Sequence, residues 1–95
     1  ELPFAFKRDS GEIVRGEIDM VYRTSLGDII VDYKTYQGAS SHILDPQSDA
    51  YAGKYSGQIE IYEEALRREH REVFDRIICY ISLGEIVRFE FDHNK

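Results

Sequence analysis

The sequence contains no tryptophan, one methionine, two prolines and a single cysteine in 95 residues. One thiol, Cys79, excludes an intrachain disulfide, a cysteine-ligated zinc site and an iron–sulfur cluster. Its place in the apolar run IICYI reads as a buried core position in a reducing, intracellular setting. No apolar run approaches the ~20 residues of a membrane span, and no signal-peptide or lipidation pattern is present. A cytoplasmic, intracellular location is therefore expected, with no membrane partner. Positive charge is also scarce, since 12 Lys and Arg against 18 Asp and Glu leave a net charge of −6. Binding nucleic acid by charge alone calls for a basic face. Bound metal, or a basic track on a partner domain, would have to offset this acidity.

What is present describes one small globular domain over residues 1–95, rich in tyrosine and phenylalanine and too short for a separate cofactor domain. It opens in strand-like sequence at Glu1, as expected of a segment from a larger protein. Leu2 to Arg8 alternates apolar Leu2, Phe4 and Phe6 with other residues and reads as a first strand, followed by the turn signal Asp9-Ser10-Gly11. The stretch Gly11 to Thr35 then reads as two strands folded into a hairpin at Thr24-Ser25-Leu26-Gly27. In the first, Ile18, Met20 and Tyr22 share one face and Glu17, Asp19 and Val21 the other. In the second, Ile30, Asp32 and Lys34 oppose Ile29, Val31 and Tyr33.

Tyr36 to Ala50, with Gly38, Pro46 and paired serines, reads as a long loop of the kind that often carries function. From about Ala50 to Glu69 the period becomes helical. Tyr51, Tyr55, Gln58, Ile59, Tyr62, Ala65 and Leu66 form a stripe, Asp49 is the expected N-cap, and Glu63–Arg67 and Glu64–Arg68 pair on the solvent side. Gly53 and Gly57 weaken the first turns and frame a close approach. Asp75 to Ser82 reads as a strand buried on both faces, and Ile86 to Phe91 as an outer strand. The expected order is βββαββ: an α/β (α+β) domain with a mixed sheet of about five strands and one principal helix.

A hairpin centred between Ser25 and Leu26 pairs residues whose numbers sum to about 51, so Asp19 faces Asp32. Like charges at that spacing repel unless a cation neutralises them, and Lys34 lies on the same face two residues on. Two carboxylates on adjacent strands supply the hard oxygen ligands that Mg²⁺ takes, with room left for water and a phosphate oxygen. The competing reading is a surface acid pair with Lys34 as an exposed partner. Tyr55 and Tyr62 read equally as core aromatics, and Glu17 as an accessory acid or an exposed strand glutamate. Gln58, an amide on the apolar side of a helix, must find a partner if buried. His42, His70 and His93 lack ligand spacing and are expected to be solvated.

GEIDMVYR, IIVDYKT and YSGQIEIY, in this order on strand, strand and helix, resemble the nuclease module of the RecB and AddA type in the PD-(D/E)xK superfamily. The resemblance runs from Glu1 to about Leu66. It implies a restriction-endonuclease-like core and Mg²⁺-dependent phosphodiester hydrolysis of DNA, with Mn²⁺ as a substitute metal. The setting it implies is exonuclease activity within a helicase–nuclease of double-strand break repair, partnered by a helicase domain or subunit. It assigns Asp19, Asp32 and the Tyr33 backbone carbonyl to the metal and makes Lys34 the catalytic lysine. Gln58 and Tyr62 stand beside the active site, with Tyr55 preceding them and Thr35 fixing strand geometry. Family members carry helical sequence before the first strand, often with a histidine that completes the metal site, and that segment is expected upstream of Glu1. A different class, a nuclease-like fold kept as a non-catalytic DNA-binding or docking module, is the alternative.

Overall fold

Asp19 divides the long first hairpin strand in two. The computed structural model describes residues 1–90, with β1 (Leu2–Lys7), β2 (Ile13–Ile18), β3 (Met20–Thr24), β4 (Gly27–Lys34), α1 (Ser56–Arg68), β5 (Val73–Tyr80) and β6 (Glu85–Arg88). Phe91 and His93 lie outside the described residues. At the division, Asp19 Oδ2 accepts the Tyr33 N–H at 2.8 Å. A side-chain oxygen thus takes an amide that a neighbouring strand's carbonyl would otherwise bind, and the strand bends there.

Two sheets result. β1 and β2 form an antiparallel ribbon, and β3-β4-β5-β6 form a mixed sheet in which only β4 and β5 run parallel. The α+β class, mixed sheet and single main helix match expectation; the single sheet of about five strands is corrected to a four-stranded sheet plus a ribbon. The bend also breaks the expected side-chain alternation. Ile18 is fully buried in the core, whereas Tyr22 is exposed, so they do not share a face.

The hairpin register is the expected one, with Met20 opposite Val31 and Val21 opposite Ile30. Ser25 and Leu26 make the loop, where Thr24 Oγ1 donates to the Gly27 carbonyl at 2.6 Å and accepts the Leu26 N–H at 3.1 Å. Gly27 has φ of 132°, and a Cβ there would press on the Glu72 carbonyl at 3.1 Å, so glycine is required on both counts.

Parallel β4 and β5 need a crossover, and α1 supplies it. Ile59, Tyr62 and Leu66 of α1 pack on Ile30, Ile78 and Tyr80 of the sheet, joined by Ile18, Ile43 and Ala52. Each fully buried isoleucine or leucine contributes roughly 1.5–3 kcal/mol. The ribbon is tied to the outer side of α1. Phe4 meets Tyr62 edge-on at 5.8 Å, Gly16 leaves room for the Phe4 ring, Arg8 pairs with Glu64 at 2.9 Å, and Arg68 donates to the Lys7 carbonyl at 3.2 Å. No helix among the described residues is long and apolar enough to cross a membrane.

Several local expectations change. A 3₁₀ turn over Ala52–Tyr55 precedes α1, so Tyr55, not Asp49, is the capping residue and no side chain caps the helix. The turn is tight because Gly53 lies under the Tyr51 ring; Gly57 faces open space. The loop before it contains a second 3₁₀ turn, Ser40–Leu44, pinned by buried Ile43. Both i,i+4 pairs form, but Glu63 is 2% exposed and also bridges Arg76 of β5, so it faces the interior. β5 is buried on one face only. Cys79 is half-buried on the other, because no helix among the described residues covers that side as α1 covers its opposite.

Candidate active site

The site forms at the end of β4 under α1. Asp32 follows Ile30 on the helix-facing side and is 2% exposed, and Lys34 follows on the same side. Lys34 Nζ lies 3.0 Å from Asp32 Oδ2 and 4.1 Å from the centroid of the Tyr55 ring. The ammonium is thus held between a carboxylate and an aromatic face, which fixes an otherwise flexible side chain. Tyr55 has this position because the 3₁₀ turn, not the helix proper, presents it.

Asp19, half-buried at the bend, stands beside Asp32. Burial raises the Asp32 pKa, Lys34 acts to lower it, and the neighbouring Asp19 pushes it up again; the net direction is upward. Oδ2 of Asp32 is buried and lies near the Lys34 ammonium without a directional hydrogen bond. A buried carboxylate oxygen with an unused lone pair, next to a second carboxylate, has the chemistry of a hard-cation site. Magnesium is usually held by one or two carboxylates with water and substrate oxygens completing its shell, and this donor set fits it. Among the described residues no group of three or more His, Cys, Asp or Glu side chains converges.

Tyr62 closes the site from α1. Its hydroxyl is made less acidic by burial first, then by the fields of Asp32 and Asp19, which shows how close it stands to both; Gln58 acts in the opposite sense through a hydrogen bond. Gln58 itself is exposed, and its amide reaches the Tyr62 hydroxyl from the solvent side. Gln58, Tyr62 and Glu17 line one cavity of about 530 Å³ between ribbon and helix, with Arg15 and Phe4. Glu17 is on β2, exposed, and separated from Asp19 by the bend. Thr35 lies just past the end of β4, exposed at the mouth of a second cavity of about 300 Å³ beyond Lys34. The structure therefore brings Asp19, Asp32, Lys34, Tyr55, Gln58 and Tyr62 together and leaves Glu17 and Thr35 at the rim.

Two aromatic neighbours escape the sequence pattern. Tyr36 continues the spacing of Asp32 and Lys34 by two residues, a signal that was available. Tyr80 pairs with Lys34 across the β4–β5 ladder, and only the tertiary register reveals it. His42 is not simply solvated, since its Nδ1 lies 2.6 Å from the Tyr36 hydroxyl. Arg23 and Arg71 join Asp19 around a third cavity of about 330 Å³, with Arg71 paired to Asp28 at 2.6 Å.

No protein-family model matches the chain. It is similar to an ATP-dependent helicase/nuclease subunit of Lactobacillus johnsonii, 31% identical over 77 residues that make up 79% of this chain and 6% of that protein. It is also similar to the helicase/nuclease protein of the same name from Exiguobacterium sibiricum, 26% identical over 92% of this chain and 8% of that protein. The chain thus spans less than a tenth of the length of the curated relatives it matches.

Proposed function

We propose that this chain is the catalytic module of a Mg²⁺-dependent DNA nuclease of the PD-(D/E)xK, RecB/AddA kind. It would act as an exonuclease within a helicase–nuclease that processes double-strand breaks. The observation that carries the proposal is the meeting of Asp19, Asp32 and Lys34 at one end of the helix-covered face, under Tyr62. Asp19 and Asp32, with the Tyr33 carbonyl, would hold the metal. Bound there, Mg²⁺, or Mn²⁺ in its place, would acidify a water and offset charge developing on the phosphate. Lys34, held by Asp32 and Tyr55, offers its ammonium to the attacking water or the phosphate oxygens. Tyr62 offers its hydroxyl as a hydrogen-bond donor at the roof of the site, since a phenol is protonated at neutral pH and burial only pushes its pKa further up. Gln58, exposed one turn earlier, orients the strand or the lysine. The two helicase/nuclease relatives suggest the nuclease action and the helicase partner, and the restriction-endonuclease-like fold accords with a mixed sheet and one main helix.

The test is cleavage of linear single- and double-stranded DNA by the full-length protein. Cleavage is expected with Mg²⁺ or Mn²⁺, none with EDTA, and a loss of at least about a hundredfold in Lys34→Ala, the usual scale for one preorganised electrostatic contact. Equal cleavage by wild type and Lys34→Ala would overturn the assignment. The net charge of −6 favours a second reading, a nuclease-like module that binds DNA or a protein without cutting. DNA bound but uncut under every metal condition would select it.

A further inference from the structure

We infer that the cavity beyond Lys34 is a subsite for one unpaired nucleobase of a DNA strand whose neighbouring phosphate lies at the acid pair. This rests on the nuclease reading above and narrows its substrate to DNA with a single-stranded end. The cavity, about 300 Å³, is lined by Lys34, Tyr36, Asp49, Tyr55 and Tyr80 among others. That volume stands at the small end of ligand sites, enough for one nucleoside and too small for a base pair. Because Lys34 is shared between the cavity and the acid pair, an occupant is directly next to the reacting phosphate.

Three of the chain's seven tyrosines meet there. Tyr80 forms a fixed floor, buried and donating its hydroxyl to the Ala50 carbonyl at 3.1 Å. The Tyr55 ring is engaged by two ammonium groups, Lys34 at 4.1 Å and Lys54 at 5.3 Å. Stacking therefore falls to Tyr36. Its hydroxyl is 2.6 Å from His42 Nδ1, and its ring lies over Gly38, where any Cβ would overlap it. A ring already fixed loses little freedom on binding. Asp49, exposed at the rim, can accept from the exocyclic amino group of a base. Stacking also suits an acidic protein. With a net charge of −6, phosphate attraction is weak, whereas base–aromatic contact does not depend on charge.

The experiment uses full-length protein in EDTA, so that binding is read without cleavage. Oligodeoxythymidylates carrying 2-aminopurine at successive positions from one end are titrated in, alongside a blunt duplex. The expected result is fluorescence quenching at one position only, with single strands bound more tightly than the duplex. Tyr36→Ala abolishes the quench and weakens single-strand binding about tenfold, Tyr36→Phe keeps both, and duplex binding is unchanged in either. Quenching at no position, quenching indifferent to Tyr36→Ala, or a parallel loss of duplex binding would each overturn the base site. A parallel Mg²⁺ cleavage assay keeps the two ideas apart. Quenching without cleavage removes the nuclease reading and leaves the base site, whereas cleavage without quenching does the reverse.

Discussion

Neighbouring residues of β4 and β5 live on opposite faces of one sheet, and the faces have different chemistry. On the side covered by α1, Ile30 and Ile78 are fully buried and Asp32 and Lys34 extend the same row. On the other side, Val31 and Ile77 give way outward to exposed Tyr22, Tyr33 and Ile86. The carboxylate on the open face, Asp75, is simply paired with the exposed Arg88 at 2.7 Å. Only the covered face can desolvate Asp32, raise its pKa and set it against Asp19 and Lys34. Burial by the helix is thus what turns a strand acid into a candidate metal ligand, and it carries a stability cost.

That cost gives the largest expected contrast. The folded pKa of Asp32 lies above its unfolded value, so the folded state binds the proton more tightly. The sign follows: stability present below the unfolded pKa, near 3.9, is lost as pH rises through the higher folded value, so ionised Asp32 works against folding. Asp32→Asn is expected to lower cleavage at least about a hundredfold. The same variant should unfold at a temperature no lower than wild type and up to about 5 °C higher. Thermal melting and a cleavage assay on one preparation check both. A drop in melting temperature would mean that the carboxylate is there for structure.

The covered face has a second buried acid with the opposite sign. Burial acts to raise the Glu63 pKa, but Arg76 and Arg67 outweigh it, and the net shift is downward. Such a group contributes stability above its unfolded pKa, near 4.3, and loses that contribution as pH falls through the lower folded value. Glu63→Gln removes the charge that Arg67 and Arg76 share and is expected to cost about 3 kcal/mol at pH 7. The deficit relative to wild type should shrink as the pH is lowered toward 3. Urea unfolding at several pH values measures it, and a deficit independent of pH would show that the ion pairs are not its source.

The two acids also show what the residue pattern could reveal. Asp32 was legible because the short hairpin loop at Ser25-Leu26 and the alternation of β4 together set its face and its partner. Glu63 was not, since its i,i+4 pair with Arg67 is what an exposed helix shows. Arg76, thirteen residues on in another element, is what draws it inward. The bend at Asp19 was hidden for a similar reason. Alternation runs unbroken through Glu17, Asp19 and Val21, and only the hydrogen bond from the Tyr33 amide interrupts the strand. The resemblance places Tyr55 ahead of Gln58 and Tyr62, but its contact with Lys34 depends on a 3₁₀ turn that helical periodicity does not distinguish from the first turn of α1.

The open face supplies the smallest effect and the control on all the others. Ile86 sits on β6 opposite Cys79, and 60% of its surface is exposed. Removing part of an isoleucine that water already reaches forfeits little transfer energy, and threonine keeps the β-branching that suits a strand. Ile86→Thr is therefore expected to change stability by no more than about 0.5 kcal/mol and to leave DNA cleavage unaltered. A chemical melt and the cleavage assay together decide. A loss of several kcal/mol in the full-length protein, with cleavage per folded molecule intact, would mean that this face is covered by another part of the assembly. The contrast between the faces would then be one of ligand chemistry alone, with both sides buried and only one carrying two neighbouring acids beside a lysine.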